Sequence, residues 1–365
     1  MGGASSATAR RRFRRARRLR ESRRGVVAVI GTLLALLVFF ALFGIFLTQY
    51  VPLWMSDNEA QFTANAAASF GLLKSSIDSQ YVLGAPQTYG LPVQISSDSV
   101  PLLAQPTQGT LTFLPQICPK GFATATSANA TIPVGQPETP NYCVFSNITL
   151  SSGPGGSGPY YAEIPTGVLE FALPNRYYSP QTFFFEDDAV IQSQGGGHEV
   201  MAVPPPLNVT NIAGNITVWD SLLQLYGNST SVIGTGSQEI YSHLRYSNQI
   251  VSNGYSRTTF TYARFTYTFE IGTQNPCAWG SMLNNLVWNQ SGLPLGDHAQ
   301  YSWTVSGKPW APAYPGTAVG NYTTQGTGCN LANGGTTVLI LTVTNVNYAV
   351  FYQAGVQMGI GVGGA

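Results

Sequence analysis

Charge is what this chain most lacks. Asp, Glu, Lys and Arg make up 9% of its 365 residues, against roughly 25% in an ordinary soluble domain. Histidine is scarce too. None of His198, His243 and His298 lies in an HExxH string or beside a second histidine, which removes the usual zinc-hydrolase signature. No GxSxG elbow is present, so the serine-hydrolase signature is missing as well. Two GxGxxG strings occur, Gly153–Gly158 and Gly359–Gly364. A dinucleotide fold needs a strand before such a string and a helix after it. Pro159 follows the first and the second closes the sequence, so both read as loop or tail. Cysteine is limited to Cys118, Cys143, Cys277 and Cys329, without the CxxC spacing of zinc or redox sites.

The charge that is present is unevenly placed. Ten arginines lie between Arg10 and Arg24, with Glu21 as the only acid among them. An apolar run follows from Val26 to Leu47, interrupted only by Gly31, Thr32 and Gly44. At helical rise such a run spans about 30 Å, the thickness of a bilayer's hydrocarbon core. The arginines on one flank predict orientation: residues 1–24 form a cytoplasmic tail, residues 25–50 a transmembrane helix, and the bulk lies outside the cell membrane. Topology is a better account of the arginines than a nucleic-acid arm, and they also attract anionic lipid headgroups. Beyond the membrane seven basic residues face fifteen acidic ones, a net of −8.

An exterior location gives the even number of cysteines a meaning, namely two structural disulfides. Three pairings are open. Cys118 with Cys143 and Cys277 with Cys329 is preferred because each loop then stays within one expected module. Seven N-x-S/T sequons, at Asn129, Asn147, Asn208, Asn215, Asn228, Asn289 and Asn321, all fall on the expected outer side and are candidate glycan sites.

After the membrane run, Pro52 predicts a kink or break in the helix. Ser56–Glu59 reads as a capping box that restarts it. Phe62, Ala66, Phe70, Leu73, Ile77 and Tyr81 follow at helical spacing, predicting a juxtamembrane helical stalk over 51–84. From residue 85 the pattern becomes short Val-, Thr-, Phe- and Tyr-rich runs between Gly, Pro and Asn turns, the mark of β-sandwich or jelly-roll modules. Pro204-Pro205-Pro206 sets the boundary between a first module (85–203) and a second (204–365). Asn275-Pro276 predicts a cap and a helix over Ala278–Trp288. The apolar stretch Val338–Ile360 is broken by Thr342, Thr344, Asn345, Asn347 and Gln353, so it reads as paired strands and not as a second span. The expected fold is mainly β, preceded by a transmembrane helix and a juxtamembrane helix.

The string Arg23-Arg24-Gly25-Val26-Val27-Ala28-Val29-Ile30-Gly31-Thr32-Leu33-Leu34 resembles the N-terminus of archaeal type IV pilins and archaellins. There a basic stretch and a glycine precede a segment of the form GVSPVIGTLLL. Gly25, Val26, Val29, Ile30, Gly31, Thr32, Leu33 and Leu34 match it; Val27-Ala28 replaces the Ser-Pro pair, and the run has no glutamate at its fifth residue. The resemblance implies processing at Arg24, Gly25 and Val26, with cleavage after Gly25. In layout the chain is similar to single-pass archaeal surface proteins without assigned activity. That likeness rests on the Val51-Pro52-Leu53-Trp54 entry and on the stretch from Asn175-Arg176-Tyr177-Tyr178 to Gly195-Gly196-Gly197-His198.

Glu186-Asp187-Asp188 is the densest acidic string. Consecutive strand residues face opposite ways, so it reads as a solvated hairpin turn before it reads as a Ca²⁺ ligand set. Trp219, Trp279, Trp288, Trp303 and Trp310 read as core aromatics before they read as a sugar-binding face. No catalytic, cofactor-binding or metal-ligating residue is assigned. The expectation is a non-catalytic, membrane-anchored surface protein with a structural or adhesive role. Its expected partners are the lipid bilayer, envelope proteins, glycans or like subunits through the N-terminal helix, and not nucleic acid. A filament subunit is the alternative, and a surface glycan or peptide hydrolase a lesser one.

Overall fold

Leucine, phenylalanine and valine dominate the first part of the first helix, and alanine and polar residues separate the apolar stripe in the second. In the computed structural model this helix runs from Val29 to Leu83 (α1). The residues described are 29–84, 86–100, 104–115, 144–152, 160–195, 198–212, 215–252, 264–286, 301–305, 308–309 and 337–361. Internal contacts divide the chain into two units, Met1–Asp57 with Ser99–Gln105, and Asn58–Asp98 with Pro106–Ala365.

In the first unit, α1 is apolar around its whole circumference. Leu33, Leu37, Phe40 and Leu42 are each about 60% exposed. Its mean hydropathy over the best window is 2.8, and the helix is long and apolar enough to cross a membrane. Pro52 does not end it. Residues Phe46–Tyr50 form a π turn in which the Val51 N–H donates to the Phe46 carbonyl. That widened turn absorbs the donor a proline cannot supply. Ser56–Glu59 therefore sits inside a continuous helix and caps nothing. Val51 and Met55 pack with Val100 in a small cluster of this unit.

In the second unit, sixteen strands are described: β1 (Thr88–Gln94), β2 (Thr110–Leu114), β3 (Val144–Ser152), β4 (Tyr160–Thr166), β5 (Val168–Leu173), β6 (Gln181–Glu186), β7 (Ala189–Gln194), β8 (His198–Val203), β9 (Asn208–Ile212), β10 (Asn215–Gly227), β11 (Thr230–Ile233), β12 (Ser237–Ser252), β13 (Phe265–Thr273), β14 (Tyr301–Val305), β15 (Lys308–Pro309) and β16 (Thr337–Ile360). One further helix, α2, spans Pro276–Asn285. The fold is mainly β, built of largely antiparallel sheets. A six-stranded sheet runs β11-β2-β5-β6-β7-β8. A ten-stranded sheet follows β1-β12-β16-β13-β3-β4, with β9, β10, β14 and β15 attached around β16. The expected split at Pro204 does not separate these sheets: β11 joins the six-stranded sheet, and β1, β3 and β4 join the other.

β16 holds the larger sheet together. It pairs in parallel with β10 and antiparallel with β12, β13 and β14. Asn345, at φ +59°, sits where the register slips against β13, and Asn347 where it slips against β10. Asparagine tolerates that left-handed conformation. The polar residues that argued against a second membrane span thus mark a bulge in a central strand.

Two apolar clusters fill the interior. One joins Tyr267, Phe269 and Trp279 to Ile148, Leu341 and Phe351. The other buries the α1 stripe Phe62, Ala66, Phe70, Leu73, Ile77 and Tyr81, each at most 4% exposed, against both sheets. Phe70 stacks on Phe171 at 6.3 Å between ring centroids. Burying each such phenylalanine contributes roughly 1.5–3 kcal/mol.

Candidate functional site

Glu186, Asp187 and Asp188 do form a hairpin turn, but not a solvated one. Glu186 pairs with Ala189 across a two-residue tip. Asp187 (φ +42°) and Asp188 (φ +62°) supply the two positive angles that such a tip needs. All three acids are at most 1% exposed. The tip sits inside the protein, and each carboxylate has its own partners.

Asp188 meets a lysine. Lys74, 5% exposed on α1, donates to Asp188 Oδ1 at 3.2 Å and to Asp78 at 2.9 and 3.0 Å. Asp188 Oδ2 accepts from the Tyr81 hydroxyl at 2.9 Å and from Ser221 Oγ at 3.0 Å. Burial pushes the Asp188 carboxyl up to about 8; Lys74 opposes the rise and Asp78 adds to it. Asp187 accepts from Ser146 Oγ at 2.9 Å and from the Leu223 N–H at 3.3 Å. Burial, then the charge of Asp220, holds its carboxyl well above the usual range. Asp220 itself accepts from the Tyr267 hydroxyl and the Ser221 N–H. Burial raises it to about 7 in spite of both donors.

Glu186 Oε1 accepts from Thr273 Oγ1 and from Trp279 Nε1, the latter at 2.8 Å. Burial raises this carboxyl too. Its Oε2 and the Asn275 Nδ2 find no hydrogen-bond partner among the described residues; the Asn275 amide favours the ionised carboxyl without closing a bond. Both line a cavity of about 20 Å³ with Thr166, Glu170 and Phe184, room for one water-sized group. The neighbouring helix α2 has Asn275 at its cap position and Pro276 in its first turn, but Asn275 makes no side-chain cap. Glu199 Oε2 takes that role, accepting the Cys277 N–H at 3.0 Å. Burial raises Glu199 to about 7.

Glu59 behaves in the opposite way. It is fully buried and accepts the backbone N–H groups of Arg176, Tyr177 and Tyr178 at 3.1, 2.7 and 2.8 Å, with the Thr107 hydroxyl as a fourth donor. Burial alone would raise its pKa, but these four donors together lower it. The carboxylate read as part of a capping box instead pins the loop between β5 and β6 to α1. That loop presents Tyr177 and Tyr178, 45% and 39% exposed.

The other sequence candidates fall as follows. Cys277 is disulfide-bonded, while Cys118, Cys143 and Cys329 lie outside the described residues. Among the sequons, Asn208, Asn215 and Asn228 are exposed. Asn147 is 2% exposed and donates to Glu270 at 3.2 Å, which leaves no path for a glycan. Asn129, Asn289 and Asn321 lie outside the described residues, as do Arg24, Gly25 and Val26. Trp279 is core, but Trp219 is 44% exposed and contacts Tyr348 at 6.5 Å between ring centroids. His198 is exposed on β8, and His243 contacts Thr88 at 2.6 Å. No group of three or more His, Cys, Asp or Glu among the described residues is arranged to hold a metal ion.

Chemically the arrangement is an acid-rich interior with one buried ammonium group among the described residues, Lys74. It joins α1, the β6–β7 tip and β10 through charge-assisted hydrogen bonds, which are shorter and stronger than neutral ones. Family models, curated proteins and solved structures were compared with the chain, and none matches.

Proposed function

We propose that this chain is a membrane-anchored cell-surface protein of archaeal type, with a non-catalytic head that has a structural or adhesive role. One observation carries the reading. The helix that buries phenylalanines between Phe62 and Phe70 is apolar and exposed on every side from Val29 to Ile45. In water that surface is costly, whereas in lipid it costs nothing. The arginine tail supports a cytoplasmic N-terminus, and the disulfide at Cys277 supports an oxidising exterior. The β-rich part stands as sandwich-like modules outside the cell, in contact with the envelope, other cells or polysaccharide.

Protease shaving of intact cells followed by peptide mapping tests this reading. Peptides from Asn58 onward are expected in the released fraction, with residues 1–24 protected. Recovery of the intact protein in the aqueous phase without detergent would sink it.

The same helix favours a second reading, a pilin-like subunit. Its first residues, Val29 to Leu34, belong to the archaellin-like string, and in that family such segments pack together into a filament core. The mature N-terminus separates the two. Val26 as first residue supports the filament subunit; an intact arginine tail in membrane-bound protein supports the anchor.

A further inference from the structure

We propose that Lys74 and Asp188 are joined by an intramolecular isopeptide bond, which the protein forms on itself between the buried face of α1 and the tip of the β6–β7 hairpin. The chain has only three lysines. One of them is buried where an ammonium group is expensive to keep. It points at a carboxyl group 114 residues away in sequence, with 3.2 Å between Nζ and Oδ1. Neither group has room to leave. The Lys74 side chain is 6% exposed, that of Asp188 is 0% exposed, and the turn fixes the Asp188 backbone. Reacting groups held this close behave as if at very high concentration.

The surroundings supply the remaining parts of an acyl transfer. When Nζ adds to the Asp188 carboxyl carbon, negative charge grows on Oδ2. The Tyr81 and Ser221 hydroxyls already contact that oxygen, at 2.9 and 3.0 Å, and stabilise the charge as it develops. Asp78 is the proton carrier. It touches Nζ through both oxygens and lies 3.2 Å from the Tyr81 hydroxyl. Starting from ammonium and carboxylate, the nitrogen gives up two protons in turn, each taken by Asp78 and passed to Oδ1. The carbon–oxygen bond breaks, the carbon–nitrogen bond remains, and Oδ1 leaves as water. Asp78 ends as it began. Its side chain is 35% exposed, which gives the water a way out. Once it has gone, the burial of both side chains keeps hydrolysis slow.

The experiment is peptide mapping of the full-length, detergent-purified protein, reduced, denatured and digested with chymotrypsin. The expected product is a branched peptide containing Lys74 and Asp188, lighter than its two parts by one water. Lys74→Arg is expected to give two linear peptides, and Asp78→Asn to leave most of the chains unlinked while retaining the strand signal in circular dichroism. A wild-type digest with both peptides linear at full mass overturns the bond. A branched peptide that persists in Lys74→Arg overturns the assignment to this pair, and complete linkage in Asp78→Asn overturns the role given to Asp78.

Discussion

Asp220 turns the buried acids into a measurable pH dependence. Folding raises its carboxyl from an ordinary 3.8 to about 7. The folded protein therefore holds this proton more tightly than the unfolded chain does. The stability linked to the proton is fully present below about pH 4 and is lost as pH rises through about 7. Three pH units correspond to roughly 4 kcal/mol, a large share of the 5–15 kcal/mol that keeps an ordinary domain folded. Glu59 works in the other direction. Its depressed carboxyl stabilises the fold above its ordinary value of 4.5, and that contribution disappears as pH falls below it. Glu59 contributes in full above about pH 4.5 and Asp220 loses its contribution progressively from about pH 4 to 7, so maximal stability is expected near pH 4–5. The assay is denaturant unfolding of the detergent-solubilised chain at pH 4, 6 and 8, followed by tryptophan fluorescence. Wild type is expected to lose stability steadily from pH 4 to pH 8. Asp220→Asn keeps an acceptor for the Ser221 N–H and cannot ionise. It is expected to flatten the slope and to exceed wild type at pH 8. A wild-type curve that rises from pH 4 to pH 8, or an Asp220→Asn curve of unchanged slope, would refute the reasoning.

Three further outcomes follow from contacts described above. Glu59→Ala strands the Arg176, Tyr177 and Tyr178 N–H groups; it is expected to cost about 3–5 kcal/mol in chemical denaturation and to speed proteolysis within residues 174–180. Phe70→Ala empties a fully buried ring site between Phe171 and Phe183, with an expected loss of about 3–5 kcal/mol; a loss under about 1 kcal/mol would mean the stripe is not packed as described. Gly355→Ala places a methyl group 2.1 Å from the Tyr246 ring across the β12–β16 pair. It is expected to lower stability by about 1–3 kcal/mol, and Tyr246→Ala in the same chain should relieve part of that loss.

The sequence made some of this legible and could not make the rest so. The α1 stripe from Phe62 to Tyr81 was readable because helical spacing is a local signal, and its burial follows from it. The β character after residue 85 was readable from short Val- and Tyr-rich runs between turn residues. Sheet membership was not. β11 joins β2, and β3 joins β13, through pairings that cross more than a hundred residues, and periodicity records nothing about partners. The acidic turn is the sharper case. Local chemistry reads Glu186-Asp187-Asp188 as solvent-facing, since carboxylates are almost never buried unless paired. What overrides it is distant: Lys74, Tyr81, Ser146, Ser221 and Thr273, each unremarkable in its own neighbourhood. Lys74 offered one available signal, as an isolated cation between Leu73 and Ile77 on an otherwise apolar stripe. Glu59 had the right spacing for a cap, but its use depends on a loop more than a hundred residues later.

β16 also imposes an order of assembly. It is the middle strand of its sheet, yet it follows every other described strand in the chain. While the ribosome is still making residues 337–360, β10, β12, β13 and β14 each lack a neighbour. The large sheet therefore closes only after synthesis of this last strand, and its long-range pairings make that closure slow. Through most of synthesis the partners of β16 stand as open edges, and a single late segment fastens them.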